Sequence, residues 1–394
     1  MTESALRDEL SNLPAPLRAR LEAAGFDGER LVGLAAHLFA RARGDATAPG
    51  EERNRVRGVV EAPRVGDIKE APAPGTPAHE RLATAGLETL RRGELAFCVM
   101  AGGMATRMGG VVKALVDALD GRTFLDLRLR ENTTWSERAG SPVPLWLMTS
   151  EATDAPIRDA LVRRRASPHV ATFKQGLGLR LTNEGRLFRE DDGQPSTYAP
   201  GHGDLPDALQ RSGFLSSFVD RGGKYVWIAN LDNLGATIDE ALLGHHVAQG
   251  RDIQVEVTAK VAEDRGGIPV WADATDEAGH VVRRLQALEE FRLPKGFDAS
   301  AVRVFNTNTF LVNAYALLHT RVRYSWFEVE KKVGNRTAVQ FERLVQELTG
   351  AMEATYVQVP REGEASRFLP VKDFDELAMR KGQIHVVARA RGML

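Results

Sequence analysis

Leu95-Ala-Phe-Cys-Val-Met100 runs directly into Ala101-Gly-Gly-Met-Ala-Thr-Arg-Met-Gly-Gly110, with Lys113 following. A short unbroken apolar run leading into glycines predicts a buried strand that delivers its end to a loop. Glycines let backbone N–H groups approach an anion with no Cβ in the way, so this loop is suited to cradling phosphates. Two common phosphate loops are excluded. A Walker A loop needs Gly-Lys-Ser/Thr, whereas Lys113 stands between Val112 and Ala114, and Gly102, Gly103, Gly109 and Gly110 do not supply the G-x-G-x-x-G spacing of a dinucleotide fingerprint. On its own, a glycine-rich stretch is equally well read as a structural turn.

Moving outward, further apolar runs read as strands: Val143-Pro-Leu-Trp-Leu-Met148, Tyr225-Val-Trp-Ile-Ala229, Ile253-Gln-Val-Glu-Val257, Val302-Arg-Val-Phe305 and Thr309-Phe-Leu-Val312. Helical patterns between several of them predict an α/β sheet covered by helices. Leu31, Leu34, Ala35, Leu38 and Phe39 share one helical face after Asp27, a candidate cap, and a further helix ends near Gly93. Ala338, Phe341, Leu344, Val345 and Leu348 read as a late helix closed by Gly350. Between about Ala46 and Ala78 the chain is rich in Ala, Pro, Gly and charge, which predicts an extended connector crossing a surface, with a short docked piece allowed.

The chain has 394 residues, 43% hydrophobic and 27% charged, which is ordinary globular composition. Lys plus Arg (52) nearly balances Asp plus Glu (53), which argues against a general nucleic-acid binder held by a basic surface. A single cysteine, Cys98, excludes an intramolecular disulfide and a cysteine-based zinc site, and fits a reducing cytoplasm. The sequence shows neither a signal-peptide pattern at its start nor an apolar run of membrane-spanning length, so export and membrane insertion are not expected. His245 and His246 are adjacent and cannot share a helical face, so they read as a solvated helix end, not a metal site.

The strand, the Gly-Gly-x-x-Thr-Arg-Met-Gly loop and the lysine beyond it resemble the signature of sugar-nucleotide pyrophosphorylases. Thr123-Phe-Leu-Asp-Leu127, Val143 to Met148, Pro200-Gly-His-Gly-Asp204, Asn230-Leu-Asp-Asn-Leu-Gly-Ala-Thr237, Phe305-Asn-Thr-Asn308 and Arg367-Phe-Leu-Pro-Val-Lys372 follow in the order of the UTP–glucose-1-phosphate uridylyltransferase family. The resemblance covers roughly residues 95 to 375. It implies a three-layer, Rossmann-like (GT-A-like) nucleotidyltransferase fold: a mixed, largely parallel sheet flanked by helices, with a helical N-terminal segment. Residues 1–90 would be that segment and its connector, and residues 91–394 the catalytic domain, with 320–394 closing the phosphate site.

The family reaction transfers UMP from UTP to glucose 1-phosphate, giving UDP-glucose and pyrophosphate reversibly. Bringing two polyanions together calls for lysines, a carboxylate for Mg2+ and backbone donors, with no protein nucleophile. By resemblance, Lys113 and Lys372 would contact phosphates and Asp232, placed just past a strand end, would hold Mg2+. Gly102, Gly103, Met148, Gln175 and Gly201 would surround uracil. His202 would reach the sugar phosphate, and Gly267, Glu289, Asn306 and Asn308 the sugar. Lys260 also matches a family lysine, of open role.

Two departures stand out. Most family members carry glycine at the position of Ala105, and the lead-in to Lys113 is one residue shorter. If the Ala105 methyl faced the triphosphate, UTP affinity would fall. Only Asp373 to Leu394 follow the last motif, too few for the β-helix domain of eukaryotic members, so a monomer is expected, with a dimer through another surface left open. The alternatives are the same chemistry on galactose or N-acetylglucosamine 1-phosphate, a catalytically silent UDP-sugar binder, and more distantly a dehydrogenase. Pro-Gly-His-Gly-Asp favours the glucose branch.

Overall fold

In the computed structural model, residues 2–45, 50–105 and 108–394 are described, with side chains omitted at 50 and 51. Thr106 and Arg107 of the glycine-rich motif, and Ala46 to Pro49 of the connector, lie outside the described residues.

Eight strands form the central sheet: β1 (Ile68–Glu70), β2 (Leu95–Met100), β3 (Leu145–Thr149), β4 (Val170–Lys174), β5 (Tyr225–Asn230), β6 (Ile253–Ala259), β7 (Val304–Asn313) and β8 (Ala354–Gln358). Their order is β1-β8-β6-β7-β5-β2-β3-β4, and β7 alone runs antiparallel to its neighbours. Successive side chains of β2 alternate between two buried layers. Phe97 and Val99 enter one apolar cluster with Leu145, Leu147 and Trp227, while Ala96, Cys98 and Met100 enter the other with Trp146, Val226 and Phe310. A strand covered on both faces is apolar at every position, which is why β2 reads as an unbroken run.

The three N-terminal helices, α1 (Glu3–Ser11), α2 (Ala15–Ala23) and α3 (Gly28–Ala42), form a third cluster with Leu177, Leu179, Leu181, Val339 and Phe341. Asp27 caps α3 by accepting from Arg30 N. Helix α4 (Pro77–Arg91) ends with Gly93 at positive φ, as its sequence predicts. The described part of the connector is docked: β1 pairs with β8, and Glu61 bridges Trp271. None of the described helices is long and apolar enough to cross a membrane.

Three expectations are corrected. Val304–Phe305 and Thr309–Val312 belong to one strand, β7, with Val302 and Arg303 preceding it, and its pairing with β6 shifts register between Glu256 and Val257. The late helix is not there: Arg336–Glu342 is a strand paired antiparallel with Phe327–Val333, followed by a 3-10 turn and a short helix, Leu348–Ala351. Ala338 to Phe341 are all buried, and a strand covered on both faces carries no period by which to tell it from a helix. Finally, His246 is buried within the helix Glu240–Gln249, edge-on to Tyr225 with ring centroids 5.4 Å apart, and His245 Nδ1 lies 2.7 Å from Gln254 Oε1. Neither forms a solvated helix end.

Candidate active site

At the C-terminal edge of the parallel strands, β2 passes into the glycine-rich loop. Ala101 N donates to Met148 O (2.8 Å) and Gln175 N to Thr149 O (2.9 Å), tying the ends of β2, β3 and β4 together. Any Cβ on Gly102 would overlap the Gln175 amide nitrogen, so glycine there lets Gln175 lie against the loop. Nothing lies within 4 Å of a Cβ on Gly103, whose carbonyl accepts from Lys113 N (3.3 Å) and closes the small hairpin Met104–Ala105 with Val111–Val112. Gly109 and Gly110 turn that hairpin at φ of 83° and 76°. Ala105 is buried in extended backbone, in the same apolar cluster as Met108 and Ala114. Its methyl is therefore a core contact, which removes the objection that it crowds the cradle. Met148 is likewise buried, in the opposite layer.

The loop leaving β5 carries Asp232. Arg128, fully buried on the helix Phe124–Ala139, donates to three of its carbonyls: Asn230 O (3.1 Å), Asn233 O (2.6 Å) and Ala236 O (3.0 Å). Glu131 pairs with the same guanidinium at 2.7 Å. Arg367 donates to Thr237 O (2.7 Å) and forks onto the Glu256 carboxylate (2.5 and 2.7 Å). The Asn233 amide closes the clamp, donating to Arg367 O (3.1 Å) and accepting from Leu369 N (2.7 Å). A Cβ on Gly235 would come within 2.7 Å of the Arg367 carbonyl carbon, so that approach requires glycine.

On this clamped loop, the Asp232 carboxylate accepts from Lys113 Nζ at 2.5 Å, with both side chains about four-fifths buried. Two motifs 119 residues apart therefore share one point. Lys372 comes from the segment that Asn233 bolts in place. Val371 is buried, Lys372 is exposed, and its backbone N donates to Glu376 (2.8 Å), so the segment reaches the loop while the ammonium has no ion-pair partner among the described residues.

In the Pro-Gly-His-Gly-Asp motif, Gly201 adopts φ 87° and a Cβ on Gly203 would overlap Leu344 N, so Pro200 to Asp204 lies directly on the backbone of 343–345. His202 Nδ1 accepts from Val345 N (3.0 Å), and burial pushes its pKa down to about 4. Buried Asp204 accepts from Gly176 N, from Arg211 (3.0 Å) and from Arg343, which also holds Asp207 (2.5 Å). Gly266 and Gly267 lie where a Cβ would approach the Glu289 carboxylate to 3.6 Å, and the Gly267 Cβ position is 3.2 Å from the Asn306 amide. Burial pushes Glu289 up to about 7, partly offset by Gln346 Nε2, which donates to Oε1 (2.5 Å). Asn308, held at φ 58°, donates from its amide to Asn230 Oδ1 (3.2 Å) at the end of β5, and its N–H donates to Asn306 Oδ1 (3.0 Å). Lys260 donates to Glu290 (2.8 Å) beside this group.

Glu289, Asn306, Asn308 and Gly267 are thus linked through Asn230 to the Asp232 loop, and His202 is linked through residues 345–346 to Glu289. Arg128, Glu256, Asn233, Asp204, Arg343 and Gln346 were not singled out from sequence. A buried arginine looks like a solvated one until the carbonyls it serves are in place.

A mixed, mostly parallel sheet buried on both faces, with a glycine-rich loop leaving β2, places the chain among the α/β folds of the sugar-nucleotide pyrophosphorylases. Similar structures include UDP-glucose pyrophosphorylase from Leishmania major in complex with UDP-glucose (TM-score 0.69, 20% identity, 95% of this chain and 78% of that one). Another is a putative UDP-N-acetylglucosamine pyrophosphorylase from Entamoeba histolytica (0.67, 19%, 82% and 86%). Within that class, the family model described as UTP–glucose-1-phosphate uridylyltransferase matches residues 67–393, and the chain belongs to that family. Curated relatives include the probable UTP–glucose-1-phosphate uridylyltransferase of Schizosaccharomyces pombe, 28% identical over 340 residues, 82% of this chain and 65% of that protein. The Saccharomyces cerevisiae enzyme is 30% identical over 308 residues, 74% and 60%. The chain spans less than two thirds of the length of these relatives.

Proposed function

We propose that this chain transfers UMP from UTP to glucose 1-phosphate, releasing pyrophosphate, by direct attack of the sugar phosphate on the α-phosphorus. The observation that carries the reading is the Lys113–Asp232 pair at 2.5 Å on the clamped edge of the sheet, with the Lys372 segment fastened to the same loop. Among the described residues no three His, Cys, Asp or Glu side chains converge as a metal cage. A lone carboxylate suits Mg2+, which is commonly held by one or two carboxylates plus substrate phosphates. Asp232 would hold it, and the ion would offset charge on the phosphate oxygens.

The residues divide the work. Lys113 and Asp232 compensate each other in the free protein; when UTP arrives, Lys113 turns to the phosphates and stabilises charge moving toward pyrophosphate. Lys372, unpaired among the described residues, would add a second cation. Gln175, held against Gly102, offers both a donor and an acceptor to the uracil edge. Gly103 and Gly201 line the nucleotide, and Met148 supports it from the layer beneath. His202 meets the sugar phosphate, while Glu289, Asn306 and Asn308 meet the sugar hydroxyls beside Gly267. Residues 320–394 would close the phosphate side, and helices α1 to α3, packed on Leu177 and Leu179 just past Gln175, would brace the uridine side. We read the chain as a cytoplasmic monomer, which light scattering of the purified protein would check for oligomeric state.

Purified protein incubated with UTP, Mg2+ and a panel of glucose, galactose and N-acetylglucosamine 1-phosphates should release pyrophosphate fastest with glucose 1-phosphate. No release with any of the three would remove the reading, and a preference for another sugar would redirect it.

A further inference from the structure

The stretch Arg343 to Gln346 touches both the His202 loop and Glu289 within four residues. Arg343 holds Asp204 and Asp207, and its carbonyl accepts from Gly203 N (3.0 Å). Val345 N donates to His202 Nδ1 (3.0 Å). Gln346, almost wholly buried, donates from its side-chain amide to Glu289 Oε1 (2.5 Å), and its backbone carbonyl accepts from the Thr349 hydroxyl (2.6 Å). A backbone N–H can only donate, so the ring nitrogen facing it must be the unprotonated one, and a neutral imidazole then carries its proton on Nε2. No protein group accepts from His202 Nε2 among the described hydrogen bonds, and that nitrogen is not among the buried unpartnered atoms, so it faces open space.

We propose that residues 343–346 are a positioning strap for the sugar-phosphate side of the site: Val345 fixes His202 as a neutral Nε2–H donor, and Gln346 orients the Glu289 carboxylate. This deepens the proposed function and rests on it for the identity of the acceptor, a phosphate or hydroxyl oxygen of the sugar phosphate. The depressed pKa of His202 agrees, since burial disfavours its charged form and the nearby charges of Asp204, Asp207 and Arg343 are spent on one another. At Glu289 the facing charges are Glu290, held by Lys260, and Arg292, held by Glu347 (3.5 Å). The Gln346 amide is the one donor fixed on this carboxylate among the described residues.

The first test needs no turnover. Long-range 1H–15N spectra of the full chain at pH 7, with the His202 signals identified by their loss in His202→Gln, should show Nδ1 unprotonated and Nε2 protonated. An Nδ1–H tautomer or an imidazolium would overturn the proposal whether or not the protein is a uridylyltransferase.

The second test uses pyrophosphate release. The Gln amide can place an N–H near the Nε2 position and the shorter Asn amide cannot, so His202→Gln should stay within about tenfold of wild type while His202→Asn falls about a hundredfold. Equal losses would overturn the donor role. Gln346→Met should raise KM for the sugar phosphate about tenfold with KM for UTP little changed. It should also recover part of its rate between pH 7 and 8.5, because losing the amide donor raises the Glu289 pKa further and more alkali is then needed to ionise it. Equal shifts in both KM values with an unchanged pH profile would reduce Gln346 to a packing residue. If wild type releases no pyrophosphate, the proposed function fails, and the spectra still decide the tautomer.

Discussion

The two loops that bring Lys113 and Asp232 together are built in opposite ways. The Asp232 loop is held from beneath by two buried arginines, one asparagine and a glycine pressed onto the Arg367 backbone, and five of the eight carbonyls from Asn230 to Thr237 have a donor among the described residues. Among its described residues the lysine loop has two successive glycines at positive φ, open space around Gly103, Gly109 and Gly110, and a two-residue hairpin anchored by the buried Ala105, Met108 and Ala114. A carboxylate assigned to a metal must sit at a fixed point, because coordination distances tolerate little error. Under the proposed function, a lysine that exchanges an aspartate for a polyphosphate needs room to adjust. The comparison teaches that rigidity here belongs to the acid and adaptability to the base.

That contrast predicts that damage to the two loops should register in different measurements. Arg128→Met should cost about 3–5 kcal/mol of stability in denaturant titration, because it leaves Glu131 and three carbonyls buried without their donor. Arg128→Lys should recover only part, since a single ammonium cannot reproduce the planar fork. Lys113→Ala should do the reverse: pyrophosphate release falls about a thousandfold, roughly 4 kcal/mol of transition-state stabilisation, with little change in the unfolding midpoint. If Lys113→Ala destabilises the fold as much as Arg128→Met does, the lysine loop is as much a structural member as the acid loop, and the contrast is broken. Gly235→Ala lies between them. Its methyl would stand 2.7 Å from the Arg367 backbone, so about 1–3 kcal/mol of stability should be lost. Activity should fall with it, because the displaced segment carries Lys372.

How much of this was readable in advance follows the same division. The strand β2, its glycine loop and the acid after β5 were legible because their chemistry is local: an apolar run, a turn and a carboxylate at a strand end. The clamp was not. Arg128 acts on carbonyls 102 to 108 residues away, and only the folded β5 loop turns those carbonyls toward the helix. His202 was legible as a residue between two glycines, but its tautomer depends on Val345, 143 residues on. That stretch was misread as helix, since Ala338 to Phe341, buried on both faces of a hairpin strand, carry no period to separate the two structures. Whether Ala105 crowds the cradle stays open in the sequence, because neither a φ nor a facing can be read from a residue name. In place, it is extended and turned inward.

The smallest effect gives the sharpest test of adaptability. Gly110 sits at φ 76° with nothing within 4 Å of where a Cβ would be, so Gly110→Ala meets backbone strain and no collision. That strain is about 1 kcal/mol for an L-residue in the left-handed region. Were the lysine loop rigid and fixed in this conformation, the whole cost would appear as lost stability and the kinetics would be unchanged. If the loop adjusts, it relieves the strain by shifting, so the unfolding midpoint barely moves and the cost reappears when UTP requires the original path. KM for UTP should then rise by about fivefold, the kinetic equivalent of the same 1 kcal/mol, with KM for the sugar phosphate constant. A stability loss of that size with unaltered UTP kinetics would show that the loop is held as firmly as its partner, and that Lys113 reaches the phosphates by side-chain rotation alone.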